Sequence, residues 1–182
     1  MTSAASVGGH DRLRLFCGFR LPDTTLDELE RWQAAHLRGR IVPRANVHVT
    51  LAFLGSRPAG ELPAVATALR EAAARFGQPV FRVARYRETR SVGMLVLEQD
   101  GHDADRLAAD LHERLEALAL YRREARPWLP HVTVVRFRER RRLRPEIPEL
   151  GAFSPSDVAV YHSALSPSGA QYTVLESAPL GG

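Results

Sequence analysis

The sequence contains no lysine, a single cysteine and no long apolar run. With only Cys17, no intramolecular disulfide can form, and its place in the apolar run LRLFCGFRL predicts a buried structural thiol in a reducing compartment. No stretch approaches the ~18 consecutive apolar residues of a membrane-spanning helix. The first residues also lack the apolar segment of a secretory signal. The sequence therefore predicts a cytoplasmic protein with no membrane partner.

The chain of 182 residues, 45% of them hydrophobic, is sufficient for one compact domain. Residues 1–11, MTSAASVGGHD, are small and polar and predict a disordered tail, which leaves residues 12–182 as a single domain, expected to be a monomer. The net charge of +4 favours a polyanionic partner. All 25 of the Lys and Arg residues are arginine, which also fits a GC-rich coding sequence, so most of them are interpreted as ordinary surface charges.

Apolar residues alternate with period two in several segments and follow helical spacing in others, which predicts a mixed α+β domain. The order of these segments suggests two related halves packed together. One irregular basic loop is expected over residues 138–151. Strands are predicted over residues 12–21, 47–54, 79–89, 91–99 and 130–137, helices over 22–38, 61–76 and 103–119, and a hairpin over 157–180.

The same polar pair occurs in two predicted strands, as His48 with Thr50 and as His131 with Thr133. Side chains at i and i+2 of a strand lie on one face, about 6–7 Å apart. A single pair of this kind would be interpreted as a core histidine beside a threonine. Its duplication instead indicates one site with two imidazoles and two hydroxyls.

Such a site has the groups needed for phosphodiester cleavage. Imidazole titrates near pH 6.5, so one histidine can act as a base while the other acts as an acid. Threonine hydroxyls can donate hydrogen bonds to the non-bridging oxygens of a phosphate. The sequence has no His-x-x-x-His pair, cysteine cluster, Gly-x-Ser-x-Gly elbow or phosphate-binding glycine loop, so no metal or cofactor is expected. Zinc bound by both histidines is the remaining metal alternative.

Both motifs, HVTL at 48–51 and HVTV at 131–134, lie in segments that resemble one known family. The supporting segments are RLFCGFRLP, RPWLPHVTVVRF and SALSPSGAQYTVL. The sequence resembles the 2H phosphoesterases, and within them the RNA 2′,3′-cyclic phosphodiesterases, also called 2′–5′ RNA ligases. This resemblance implies a bilobal, pseudo-symmetric α+β fold with antiparallel sheets, flanking helices and a central cleft. The segment GRIVPRANVH departs from the family pattern, because members often carry a tryptophan shortly before the first motif.

The resemblance also implies a role for each site residue. His131 would act as general base on the water that attacks a 2′,3′-cyclic phosphate at an RNA end, and His48 would protonate the departing 3′ oxygen. Thr50 and Thr133 would bind the phosphate oxygens, and the product would be a 2′-phosphomonoester. The spacing of the motifs alone leaves open which histidine is the acid.

Family members often carry an arginine five residues after the second histidine, here Arg136. Its guanidinium would stabilise charge on the phosphate. Five residues is an odd step, so a regular strand would direct Arg136 away from His131 and only a bulge would return it.

Three alternatives to RNA end hydrolysis stay open: a small cyclic nucleotide substrate, an ADP-ribose cyclic phosphate substrate, and a non-catalytic RNA-binding module. Reverse 2′–5′ ligation is compatible with the same groups. Base stacking by Phe53, Trp128 or Tyr161 competes with core packing as the interpretation of these aromatics, and RNA contact by Arg138 to Arg144 competes with a solvated charge run. The remaining histidines are expected to have surface or packing roles: His10, His36, His102, His112 and His162.

Overall fold

The computed structural model describes residues 11–181, so all but the last residue of the predicted tail lies outside the described residues. These residues contain three α-helices, which lie between groups of the eight strands. They are β1 (Arg12–Arg20), α1 (Asp23–His36), β2 (Arg40–Ile41), β3 (Val49–Pro58), α2 (Leu62–Ala73), β4 (Val80–Glu88), β5 (Val92–Asp100), α3 (Asp103–Ala117), β6 (His131–Arg136), β7 (Asp157–Ser166) and β8 (Gly169–Pro179).

The strands form one antiparallel sheet of two halves. One half has the order β4-β5-β6 and the other β3-β1-β7-β8, and short β2 pairs with β6. The halves join where β3 meets β6, with Val49 paired to Val132. The two predicted His-x-Thr strands are therefore neighbours at the centre of the sheet, and the predicted α+β fold is confirmed.

All three helices contribute to one apolar core on a single face of the sheet, which we call the core face. Leu29 of α1, Leu69 of α2 and Leu111 of α3 share this core with Val49 and Val132. Cys17 is also there, fully buried, and burial raises the pKa of its thiol to about 12, so the thiol stays protonated. This agrees with the structural role predicted for Cys17.

The described elements differ from the prediction mainly at their ends. Strand β3 runs to Pro58 rather than Leu54, because β1 pairs with it along its whole length and Arg12 lies opposite Pro58. The two-residue strand β2 was not predicted, since so short a segment has no apolar period of its own. Residues 137–156 contain no regular element, as expected for the basic loop. None of the helices between residues 11 and 181 is long and apolar enough to cross a membrane.

Candidate active site

The two His-x-Thr pairs meet across the junction of the two halves. Since Val49 and Val132 are paired and point to the core, the residues on either side of them point to the opposite face, which we call the site face. In this antiparallel register His48 lies across from Thr133, and Thr50 lies across from His131. Directly opposed side chains have Cβ atoms about 4.5–5.5 Å apart. The four predicted residues thus form a two-by-two block.

Each histidine is oriented by a backbone carbonyl two residues before it. Nδ1 of His48 lies 2.8 Å from the carbonyl oxygen of Asn46, and Nδ1 of His131 lies 2.8 Å from that of Leu129. A carbonyl only accepts, so Nδ1 carries the hydrogen in both rings and Nε2 is the basic nitrogen of the neutral form. Nε2 of His48 lies 2.8 Å from the hydroxyl of Thr50, which donates to it. The block therefore exposes Nε2 atoms as its reactive nitrogens.

Asn46 fixes the position of His48 with its side chain as well. Its Nδ2 donates to the carbonyl of Ala170 at 2.7 Å, which ties the turn before β3 to the start of β8. Asn46, whose backbone carbonyl orients His48, is therefore itself held by a hydrogen bond to β8, the last strand of that half of the sheet. Nothing in the sequence around Asn46 indicated this role.

The ring of His48 lies among aromatic side chains of β1, β7 and β8. The centroids of Phe16, Tyr172 and Tyr161 are 4.7, 5.5 and 5.7 Å from its own centroid. Burial among these rings lowers the pKa of His48 to about 4, and the nearby positive charges of His131 and Arg136 act in the same direction. His48 is therefore neutral near pH 7 in the free protein.

Gly18 allows this close packing. It pairs with Thr50 in the sheet, and a Cβ at this position would lie 2.8 Å from the carbonyl oxygen of Val49 and 3.3 Å from a ring carbon of His48. Any larger residue would displace the strand or the histidine.

A bulge in β6 places Arg136 on the site face. Along β5, Val96, Met94 and Val92 alternate onto one face and pair with His131, Thr133 and Arg136. The register shifts by one residue between Thr133 and Val135, so Val134 is the extra residue. The regular-strand expectation for Arg136 is thus wrong, because the bulge restores the parity. Arg136 is exposed, and its positive charge contributes to the lowered pKa of His48.

Strand β3 carries the matching bulge after the first motif. Gly18 pairs with Thr50 and Cys17 with Ala52, so Leu51 is the extra residue. Phe53 then pairs with Phe16, whose position two residues from Gly18 puts both aromatics on the site face. Phe53 lies five residues after His48 and Arg136 lies five residues after His131, so the two occupy equivalent positions in the two halves.

Buried helix side chains bind the carbonyl of each bulged residue. Nε2 of His112 donates to the carbonyl of Leu51 at 2.8 Å, and Nε2 of Gln33 donates to that of Val134 at 2.9 Å. Burial lowers the pKa of His112, which favours the neutral ring. From its sequence context His112 was expected to have a surface or packing role, and Gln33 was not singled out, because the need for a donor follows from the bulges.

Two of the three aromatic residues considered for base stacking, Trp128 and Tyr161, already pack inside the protein. Trp128 packs against the core and donates from Nε1 to the carbonyl of Thr50 at 2.9 Å, and Tyr161 is 5% exposed. Phe53 differs, since its side chain is 49% exposed.

The basic loop is anchored to β4 by a buried acid. The carboxylate of Glu88, whose side chain is 2% exposed, accepts from the backbone N–H groups of Arg142 and Leu143 at 2.6 and 2.7 Å. The side chains of the loop line a cavity of about 340 Å³ together with Arg87. This surface is strongly positive, and its role in RNA contact stays a prediction.

Within residues 11–181, no group of three or more His, Cys, Asp or Glu side chains is arranged to hold a metal ion.

Comparison with known proteins identifies a family. Residues 21–166 match the family model of the 2′-5′ RNA ligase superfamily. None of the curated proteins compared matches the sequence. Among solved structures, a protein of Thermus thermophilus is 28% identical over 92% of this chain and 98% of its own, with a TM-score of 0.78. E. coli LigT complexed with NADP+ is 25% identical over 94% of this chain and 99% of its own, with a TM-score of 0.77.

Proposed function

The chain belongs to the 2′-5′ RNA ligase superfamily, whose fold and phosphodiester chemistry are those of the 2H phosphoesterases, and from this premise we propose that it is an RNA 2′,3′-cyclic phosphodiesterase. The observation that carries the proposal is the two-by-two block of His48, Thr50, His131 and Thr133 at the junction of the sheet halves. A simple binding surface would not require two titrating groups beside two hydroxyls. The E. coli relative has been crystallised with NADP+ and with ATP, which supports a ligand of the nucleotide class.

The proposed reaction is hydrolysis at the phosphorus of a terminal cyclic phosphate. His131 takes a proton from water as the water oxygen bonds to phosphorus. The bond from phosphorus to the 3′ oxygen breaks, and His48 gives a proton to that oxygen. The product keeps a 2′-phosphomonoester, and the two histidines have exchanged protonation states. In 2′–5′ ligation a 5′-hydroxyl would take the place of the water: His131 would take its proton as its oxygen bonds to phosphorus, and His48 would protonate the departing 3′ oxygen.

The threonines and Arg136 would stabilise charge on the phosphate. Thr50 and Thr133 donate to its non-bridging oxygens, and the guanidinium of Arg136 adds a cation on the same face. In the free protein the Thr50 hydroxyl donates to Nε2 of His48. Protonation of His48 would release that hydroxyl for the substrate, since a protonated ring nitrogen no longer accepts a hydrogen bond.

The substrate charge must also convert His48 into an acid. At a pKa of about 4 the ring is neutral near pH 7. A phosphodiester monoanion beside Nε2 favours the imidazolium and raises that pKa. Protonated His48 is therefore a property of the complex rather than of the free protein.

The test is an assay of the purified protein, which we expect to be a monomer, on a short RNA that ends in a 2′,3′-cyclic phosphate. We expect a 2′-phosphate product in EDTA and in phenanthroline, because no step requires a metal. Replacing His48 or His131 by alanine should lower turnover by roughly 10²–10⁴-fold, the usual contribution of a positioned acid or base. His102→Ala, at an exposed histidine, should not.

Different outcomes separate the alternatives. Turnover of free cyclic mononucleotides but not of the RNA would move the substrate to the small-molecule class. RNA binding without any product would favour a non-catalytic module. Loss of activity in chelators with recovery in zinc would replace the acid–base mechanism by a metal-bound hydroxide.

A further inference from the structure

Two arginines lie opposite each other on neighbouring strands of the site face. Arg40 of β2 pairs with Arg136 of β6, and the next pair along these strands is Ile41 with Val135. Ile41 and Val135 pack in the core, so the side chains of Arg40 and Arg136 point to the site face. Both arginines are exposed. Arg40 therefore extends the polar surface of the site beyond Arg136.

This pair of like charges has no counter-ion among residues 11–181. Directly opposed side chains of a sheet interact, and two like charges in this position are destabilising. Neither guanidinium forms an ion pair with a carboxylate of the described residues. An anion bound beside the two guanidinium groups would remove this repulsion, and guanidinium groups bind phosphate oxygens through two N–H donors at once.

The turn between β7 and β8 contacts Arg40 from the other half of the sheet. A guanidinium nitrogen of Arg40 donates to the carbonyl oxygen of Ser168 at 3.4 Å. Gly169, with a φ of +124°, leaves room for this contact, because a Cβ there would lie 2.5 Å from the same nitrogen. A hydrogen bond of 3.4 Å is long. The guanidinium therefore loses little when it turns to a closer, anionic acceptor.

Arg40 lies farther from the reacting phosphate than Arg136 does. The positive charge of Arg136 helps to lower the pKa of His48, whereas Arg40 is not among the charges that do so. Arg136 is thus placed for the cyclic phosphate, and Arg40 for a second phosphate group beside it. In RNA this group is the phosphodiester that joins the terminal nucleotide to the preceding one. In an ADP-ribose cyclic phosphate it would be the pyrophosphate.

We propose that Arg40 binds the phosphodiester group that joins the terminal nucleotide to the rest of the RNA, next to the cyclic phosphate at Arg136. The proposal rests on the proposed function for the identity of the substrate. A free cyclic mononucleotide lacks this phosphodiester, so Arg40 favours RNA ends over mononucleotides. Because the contact is to the backbone, this preference is independent of base sequence.

The decisive experiment compares two RNAs that differ in a single charge. One is a short RNA that ends in a 2′,3′-cyclic phosphate, and the other carries a neutral methylphosphonate in place of its last phosphodiester. Arg40→Gln should lower kcat/KM on the first by roughly 5- to 30-fold, mainly through a higher KM, since an exposed charged contact is weaker than a buried one. On the methylphosphonate RNA the variant should match the wild type. Equal losses on both RNAs, or no loss on the ordinary RNA, would overturn the proposal.

Matched variants and a second substrate separate phosphate binding from general damage. Arg38→Gln, at an exposed arginine that donates to the carbonyls of Ala34 and Leu37, should behave as wild type on both RNAs. Arg40→Lys keeps the charge and should recover part of the activity that Arg40→Gln loses on the ordinary RNA. A loss in Arg40→Gln confined to ADP-ribose cyclic phosphate would assign the pyrophosphate of a small molecule to Arg40 and overturn the RNA assignment.

A binding measurement keeps the test independent of turnover. Calorimetric titration with a dinucleotide that ends in a 2′-phosphate should show weaker binding to Arg40→Gln than to wild type, and the methylphosphonate analogue should bind both proteins equally. The slope of log affinity against log salt should be smaller in the variant by about 0.7, the value for one phosphate contact with a single strand. If no RNA is hydrolysed but these differences persist, the proposed function fails and the phosphodiester site stands. If they are absent, the phosphodiester site fails whether or not the protein is an active phosphodiesterase.

Discussion

At the scale of single residues, the two histidines are less alike than their motifs suggest. Both donate from Nδ1 to a carbonyl two residues earlier. Only His48 lies within an aromatic enclosure, and this lowers its pKa to about 4. The pairing of His with Thr could be read from the sequence, since a strand places i and i+2 on one face. The enclosure could not, because Phe16 lies in β1 and Tyr161 and Tyr172 lie in the β7–β8 hairpin, both far from His48 in sequence.

This difference predicts the pH dependence of the reaction. If His48 is the acid, kcat/KM follows the protonated form in the free protein, so its basic limb should lie below pH 6.5. The bound phosphate raises the pKa of His48, so the kcat profile should extend to higher pH. Replacing His131 should remove the acidic limb of the profile, and replacing His48 the basic limb.

Rate measurements from about pH 4 to 9 on a 2′,3′-cyclic substrate check this assignment. A kcat/KM profile that rises near pH 4 and falls only above neutrality, with the rise lost on replacing His48 and the fall lost on replacing His131, would reverse the two roles. A flat wild-type profile from about pH 5 to 9 would exclude paired histidine catalysis as the rate-controlling chemistry.

At the scale of elements, the bulges of β3 and β6 determine which side chains reach the site. Each adds one residue after a His-x-Thr pair, and both residues at each bulge are buried. The sequence indicated that Arg136 could reach the site only through a bulge, because its five-residue spacing from His131 conflicts with a regular strand. Whether the bulge forms could not be predicted, because a bulge is defined by the partner strand and by the donors that satisfy its carbonyl.

The hydrogen bond from His112 to the β3 bulge can be tested by substitution, and the glutamine that donates at the β6 bulge indicates the conservative replacement. His112→Leu removes the hydrogen bond to the carbonyl of Leu51 and should lower the free energy of unfolding by about 1–3 kcal/mol. His112→Gln should cost less, since a glutamine amide already fills this role at Val134. Urea unfolding at pH 7 measures both. Equal destabilisation by the two variants would mean that ring packing, not the hydrogen bond, stabilises the bulge.

At the scale of the whole molecule, two similar halves meet at one pair of strands with unlike surroundings. The half with β7 and β8 surrounds its histidine with aromatic rings, and the half with β4 and β5 presents arginines. The duplication was visible as a repeated order of strands and helices. The joining of both halves into one sheet was not, because it depends on a single pairing, Val49 with Val132, between segments far apart in the chain.

The buried site also makes folding depend on pH. The pKa of His48 is about 4 in the folded protein and about 6.5 in the unfolded chain, so between these values the unfolded chain binds the proton more strongly. Stability from this residue is complete above about pH 6.5 and is lost as the pH falls toward 4, by at most about 3 kcal/mol. The lowered pKa of His112 acts in the same direction.

Carboxylates also titrate in this range, so wild type must be compared with His48→Asn, which cannot take up the proton. Between pH 7 and 4.5 in urea unfolding, wild type should lose about 2–3 kcal/mol more than the variant, and His102→Asn, at an exposed histidine, should follow wild type. Parallel losses in wild type and His48→Asn would show that the aromatic enclosure does not hold His48 neutral, which would also remove the basis for the low basic limb expected of kcat/KM.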